Sequence, residues 1–139
     1  MVRSQLGPVL GFHCLAKLGL IVNVLALPGL LAWILWDGPL RVATVAVGLA
    51  AVLPALVLGV VANLALLDGR GWGRVLNLVG LGLGLAVSLG YGIVWLALVP
   101  AGRAAVAPGL GLLWLLQILS LVAWSLPPAG DWLVKRQPR

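Results

Sequence analysis

Glutamate is absent from this 139-residue chain, and cysteine, histidine, phenylalanine, tyrosine and methionine occur once each. Each scarcity excludes a chemistry. Cys14 alone forms no internal disulfide and gives no information on redox compartment. His13 and Cys14 are adjacent, but a zinc site needs about four ligands and the chain has no second histidine or cysteine. A haem held between two histidines is excluded within one chain for the same reason; His13 could contribute only in an oligomer. The three carboxylates, Asp37, Asp68 and Asp131, fall in turns or in the tail, with Asp37 expected on the opposite side from the others. Acid–base work by a carboxylate pair is therefore excluded, and neither a catalytic residue, a cofactor nor a metal is expected.

Charge of either sign is scarce too. Charged residues make up 9% of the chain, where a soluble domain has about 25%. With 63% hydrophobic residues and a mean hydropathy of +1.17, the apolar excess must face lipid rather than water. The length fits one domain, without room for a sizeable soluble module. The net charge of +6 comes from nine Lys and Arg against three Asp. These cations stand singly or in pairs at the ends of apolar runs, not clustered on one folded face. They suit anionic headgroups and topology control, not nucleic acid.

Four apolar runs predict an all-α integral membrane four-helix bundle. Leu6 to Trp36 is broken by His13, Lys17 and Asn23 and ends at the turn Asp37-Gly38-Pro39-Leu40-Arg41. Val42–Leu67 ends at Asp68–Arg74, Val75–Val99 at Pro100–Pro108, and Gly109–Leu126 at Pro127-Pro128. The runs lack the period-2 alternation of a membrane barrel and are apolar on all faces. About 20 residues at 1.5 Å each cross a core of about 30 Å. The predicted spans are therefore about 13–36, 42–67, 75–99 and 107–126, the fourth borrowing residues from Ala104 onward, with a short basic tail over 127–139. The first run starts like a signal peptide but is long and lacks an A-x-A-like cleavage site, so it is expected to remain as a span. Pro28 and Pro54 each remove a backbone donor inside a span and should kink it. Arg3, Lys17, Arg70, Arg74, Lys135, Arg136 and Arg139 lie on one side, Arg41 and Arg103 on the other. Seven against two puts both termini in the cytoplasm. Trp33, Trp36, Trp72, Trp95, Trp114, Trp124 and Trp132 lie near span ends, where interfacial rings are favoured.

Packing chemistry is richer. On the third span Gly80, Gly84, Ser88 and Gly92 recur every four residues, with Gly82 and Gly90 beside them; on the second, Ala51, Ala55, Gly59 and Asn63 do the same. Small residues on one face let backbones approach closely. Joined by a short turn, these two faces are expected to pack on each other, or to offer a homodimer seam or docking groove. Asn23, Asn63, Asn77, Ser88, Gln117 and Ser120 are the polar groups within the spans and should face protein. Asn63 and Asn77 flank one turn at similar depth, which suggests an interhelical hydrogen bond; a polar permeation route is the alternative. Lys17 is expected to snorkel to headgroups, joined there by Arg70, Arg74, Lys135 and Arg136; an earlier start to the span would place Lys17 deep instead.

Gly69-Arg70-Gly71-Trp72-Gly73-Arg74 lacks the Walker pattern of a phosphate loop. The segment resembles the second-to-third-span loop of small uncharacterised bacterial four-span membrane proteins, in which a Gly-Arg-x-Trp-x-Arg-like stretch joins two spans. The resemblance covers that loop and the four-span layout and implies no activity. Other four-span families do not fit. Small multidrug antiporters need a membrane-embedded Glu, vitamin K epoxide reductases need cysteine pairs, and fluoride channels carry Phe- and Thr-rich signatures, against one Phe12 and one Thr44 here. Abundant Leu, Val, Ala, Gly and Arg with little Lys, Ile and Phe point to a GC-rich bacterial genome. The expectation is a non-catalytic accessory or structural subunit of the bacterial inner (cytoplasmic) membrane, touching lipids and either other membrane subunits or itself. The alternative is an oligomeric channel or transporter component with Asn63, Asn77, Gln117 and Ser88 lining its route.

Overall fold

The computed structural model describes residues 6–36, 38 and 40–134, with side chains described from Gly11 onward, and every regular element in them is helical. Arg3, Asp37, Pro39, Lys135, Arg136 and Arg139 lie outside the described residues. Five helices follow in order: α1 Leu6–Leu35, α2 Arg41–Leu67, α3 Trp72–Leu98, α4 Arg103–Ser125 and α5 Pro127–Val134. The first four are long and apolar enough to cross a membrane, α1 through its segment Gly11–Leu35. At 1.5 Å per residue they reach about 35–40 Å, more than a hydrocarbon core of about 30 Å. The protein is an all-α, multi-pass membrane bundle.

The boundaries differ from the sequence expectation at two places. The turn expected to extend to Pro108 stops at Gly102, whose φ of +86° is open to glycine but strained for other residues. The Gly102 carbonyl accepts from the amides of Ala105 and Val106 and starts α4 at Arg103. Pro108 then sits inside α4, where its missing N–H removes one bond near the helix start. The second difference is the tail, which is helical from 127 to 134. Leu126 is extended (φ −68°, ψ 149°) because a following proline disfavours the helical basin. Pro127 then opens α5, a position where a missing N–H costs nothing.

Pro54 shapes α2 in a specific way. Its ring crowds the carbonyl four residues back, at Ala50. The helix widens there into a π-turn over Gly48–Val52, and the amide of Leu53 reaches five residues back to the Gly48 carbonyl. The expected distortion thus takes the form of an inserted wide turn, an established cause of helix bending. α1 runs as one helix through Pro28.

Helix α2 is the centre of the bundle, packed extensively on α1 and on α3, while α4 packs chiefly on α3 and α5 lies against α1. The α2–α3 turn is a Schellman motif: the Arg70 amide donates to the Ala65 carbonyl (2.8 Å) and the Gly69 amide to that of Leu66 (3.0 Å), with Gly69 at φ +76°. Arg74, in the first turn of α3, ties this end together. Its Nε donates to the Trp124 carbonyl (2.8 Å), and Nη2 to those of Ser125 (3.0 Å) and Leu126 (3.2 Å). Those are the orphan carbonyls at the end of α4, where a cation also complements the helix dipole. A Cβ on Gly130 would lie 2.9 Å from Arg74 Nη1, so a larger residue there would crowd the guanidinium. With α4 so capped, α5 folds back and buries Ala129, Trp132 and Leu133 against Ala16, Leu66 and Trp124. Phe12, Trp124 and Trp132 form an aromatic cluster with ring centroids 5.5–6.1 Å apart. Trp124 and Trp132 are therefore core residues and not interfacial anchors, because α5 covers them.

Replacing Arg74 by Ala is expected to cost about 1–3 kcal/mol, the range for hydrogen bonds to a charged group. Arg74→Lys recovers only part of it, because a point-like ammonium cannot reproduce the guanidinium fork. Thermal unfolding in detergent reads the loss, and a red shift of tryptophan emission reads the release of α5. Unchanged values in both would contradict this role of Arg74.

Candidate functional site

Three polar clasps hold neighbouring spans together. The first joins α1 and α2. Asn23 Nδ2 donates to the Gly19 carbonyl and Asn63 Nδ2 to the Gly59 carbonyl, each at 2.7 Å and each four residues back on its own helix. Each amide also lies over the other helix's glycine. A Cβ on Gly19 would meet Asn63 Oδ1 at 2.7 Å, and one on Gly59 would collide with Asn23 Oδ1. Two Gly-x-x-x-Asn units on antiparallel helices thus fit into each other, each asparagine filling the space where the other helix has no side chain. The second clasp joins α2 and α3: Thr44 Oγ1 and Tyr91 Oη lie 2.5 Å apart, with Thr44 4% exposed. The third joins α3 and α4: the Ser88 hydroxyl lies 3.0 Å from Gln117 Oε1 and 3.1 Å from the Leu85 carbonyl. The in-span amides and hydroxyls in these clasps find their partners within the chain, as hydrocarbon requires.

The expected hydrogen bond between Asn63 and Asn77 does not form. Asn77 is buried on α3 at 5% exposure, but Asn63 turns to α1 because Gly19 leaves room for it. Asn77 stands four residues after Gly73, which meets α2 so closely that a Cβ would lie 2.9 Å from Ala65 Cβ and the Leu66 amide nitrogen. The four groups expected to share one polar route are consequently split: Asn63 faces α1, while Ser88 and Gln117 join α3 to α4.

The small-residue ladder divides in a similar way. Gly80 packs on α2, its Cβ position 3.7–3.9 Å from Leu58, Gly59 and Ala55. Gly84 instead faces Gln117 and Gly92 faces Trp114 and Leu110, all on α4. A four-residue step on a helix of 3.6 residues per turn drifts about 40° each time, so three steps turn about 120°. The ladder therefore begins on one neighbour and finishes on the next. On α2, Gly59 receives Asn23, Ala55 approaches Gly80, and Ala51 lies within the π-turn.

Between α2, α3 and α4 lies a half-open cleft in two parts. An inner chamber of ≈ 290 Å³ is lined by Val47, Val52, Ala55 and Leu56 of α2, by Gly84, Val87, Ser88 and Tyr91 of α3, and by Leu113 and Gln117 of α4. An outer chamber of ≈ 670 Å³ is lined by Trp36, Trp95, Val99, Ala101, Gly102, Ala105 and Val106. Trp33, Tyr91, Gly92 and Leu110 border both. Trp33 stands edge-on to Tyr91 at 5.3 Å. The walls of this double chamber are almost wholly apolar.

At the opposite end, Lys17 and Arg70 are exposed, as headgroup contacts would need. Arg74 is spent on the α4 carbonyls, and Lys135 and Arg136 lie outside the described residues. Among the described residues no three His, Cys, Asp or Glu side chains gather in one place. Sequence reasoning missed Gly19, Thr44 and Tyr91 as clasp residues, although the equal spacing of Gly19-Asn23 and Gly59-Asn63 carried the signal for the first. No family model, curated protein or solved structure matches the chain.

The α1–α2 clasp makes a thermodynamic expectation. Gly59→Ala should destabilise the protein by about 1–3 kcal/mol, the usual cost of overpacking. In an Asn23→Ala background most of that cost should vanish, because the atom the new methyl meets is gone. A double-mutant cycle on unfolding in detergent measures the coupling. Additive costs would show that the two residues do not share the space.

Proposed function

We propose that this protein is a non-catalytic accessory or structural subunit of the bacterial inner membrane that docks, within the bilayer, on a larger membrane protein or on a second copy of itself. The observation that carries this reading is a second small-residue ladder on the outer side of α3. Gly82, Ala86 and Gly90 are four residues apart, Ala86 and Gly90 are exposed, and nothing lies within 4 Å of a Cβ built on Gly82 or Gly90. The inner ladder is used up on α2 and α4, while the outer one keeps the close-approach surface that drives helix association in lipid. Helix α4 adds to that surface. Trp124 is its one buried residue among the described set, and Leu112, Leu115, Leu116 and Leu119 are each more than half exposed. The separation of Asn63, which faces α1, from Ser88 and Gln117, which join α3 to α4, further favours packing over a conduction route.

The excess of Lys and Arg on the side of the termini favours a cytoplasmic location for both. The basic Gly-Arg-x-Trp-x-Arg-like loop suits the same side. This reading assigns the protein lipids and membrane subunits as partners, no cofactor and no nucleic acid.

Native mass spectrometry after gentle extraction tests the proposal. The wild-type chain is expected at a mass above that of one copy, with a fixed stoichiometry. Ala86→Leu and Gly90→Leu should return it to the single-chain mass while leaving its thermal stability unchanged, since neither side chain displaces a neighbour within the chain. A wild-type chain found alone would overturn the reading.

A further inference from the structure

The double chamber has a use that the docking surface on the outer side of α3 does not explain. We propose that it is a binding site for one acyl chain of an anionic phospholipid, which enters tail-first between Trp36, Trp95 and Ala105 and leaves its phosphate beside Arg103.

The chemistry of the walls selects hydrocarbon. The hydroxyls at the inner chamber are engaged, Ser88 with Gln117 Oε1 and Tyr91 with Thr44, which leaves the Gln117 Nε2 amide as the polar group on its walls. Water in a cavity needs two to four polar partners, and these walls offer it almost none. A ligand's polar group would meet the same obstacle. The inner part of the ligand must therefore be apolar, where it gains dispersion contacts with the lining side chains.

The length and the two ends select a chain with a head. From Gly84, at the floor, to Leu98, where α3 ends beside the mouth, is 14 residues or about 21 Å of helix. With about 5 Å of α3 beyond the hydrocarbon at that end and a leaflet about 15 Å deep, the chamber reaches from the interface to about the midplane. The mouth is bordered by Trp33, Trp36 and Trp95, the residues that favour the headgroup level. Arg103, set between the lining residues Gly102 and Ala105, is held over the end of α3 by a 2.7 Å hydrogen bond from Nη2 to the Ala97 carbonyl. Its planar guanidinium has five N–H donors, a geometry suited to bidentate recognition of phosphate. The charge at the mouth is thus complementary to an anionic head, and the walls behind it to one tail. The π-turn Gly48–Val52 supplies a wall of the inner chamber through Val52. Such turns recur at functional sites, and here the wider turn adds room in the chamber.

The test titrates the intact protein in detergent with phosphatidylglycerol and counts adducts by native mass spectrometry. One saturable adduct per chain is expected, with at least tenfold weaker binding of phosphatidylcholine. Val87→Phe and Leu113→Trp each fill the inner chamber from a different helix and should weaken the phosphatidylglycerol adduct at least tenfold. Leu25→Phe, on the exposed face of α1 and outside both chambers, should leave it unchanged. Arg103→Gln should remove the preference for the anionic head while keeping the adduct. Circular dichroism identifies any variant that fails to fold, and the remaining filling variant then decides. Graded, non-saturable adducts on the wild type, or filling variants that bind as the wild type does, would overturn the site. Equal binding of the two lipids by the wild type would overturn the role of Arg103.

Discussion

The interlock of Asn23 and Asn63 with Gly59 and Gly19 is the contact on which the bundle most depends. A carboxamide in hydrocarbon has no water to return to, so its hydrogen bonds must come from protein. Each asparagine satisfies part of that need on its own helix, at the carbonyl four residues back. Its remaining bulk then fits only where the facing helix has no side chain. The hydrogen-bonding requirement is thereby converted into a register: α1 and α2 can pair closely in one way, because a shift by one residue would drive an amide into a Cβ. With α2 fixed on α1, the close approach of Gly73 and Gly80 fixes α3 on α2. The bond from Ser88 to Gln117 then holds α4 on α3, with Arg74 capping its end.

Rotation around α3 gives the fold its second property. A ladder with a strict four-residue step cannot stay on one neighbour of a straight helix, so Gly80 serves α2 while Gly84 and Gly92 serve α4. The space between α2, α3 and α4 is bordered by the π-turn that Pro54 imposes on α2. The chamber is a geometric result of close packing on either side of it. Its apolar walls follow from the pairing of Ser88, Gln117, Thr44 and Tyr91 with one another.

The four spans were legible in the sequence because hydropathy over 20 residues and the turn residues between them are local signals. The packing role of Gly80, Gly84 and Gly92 was legible for the same reason, but their division between two partners required the rotation of the helix to be followed through three steps. Pro-Pro stops α4 and gives residues 127–134 the look of a tail in the sequence; whether a new helix starts after such a stop depends on what α5 can cover, and Phe12, Ala16 and Leu66 lie more than 60 residues upstream. The rules that place cations at span ends assign Arg74 to lipid headgroups. Those rules do not distinguish a phosphate from the carbonyls that close a neighbouring helix, since both attract a guanidinium at the same depth. Thr44 and Tyr91 occur once each, so no repeat or spacing marked them as partners. The asparagine interlock lay between these extremes. Its two Gly-x-x-x-Asn units were in plain view, but the sequence also allowed Asn63 to face Asn77, and the choice is made by which helix presents a glycine at that depth.

The measurement that tests this account most directly is disulfide cross-linking in native membranes, in a Cys14→Ser background. Gly19→Cys combined with Asn63→Cys places two thiols at the interlock, with the amide removed to make room. Asn63→Cys combined with Asn77→Cys tests the competing arrangement across the α2–α3 turn. The account predicts rapid cross-linking of the first pair and little of the second. Efficient cross-linking of Asn63→Cys with Asn77→Cys, and none with Gly19→Cys, would contradict it.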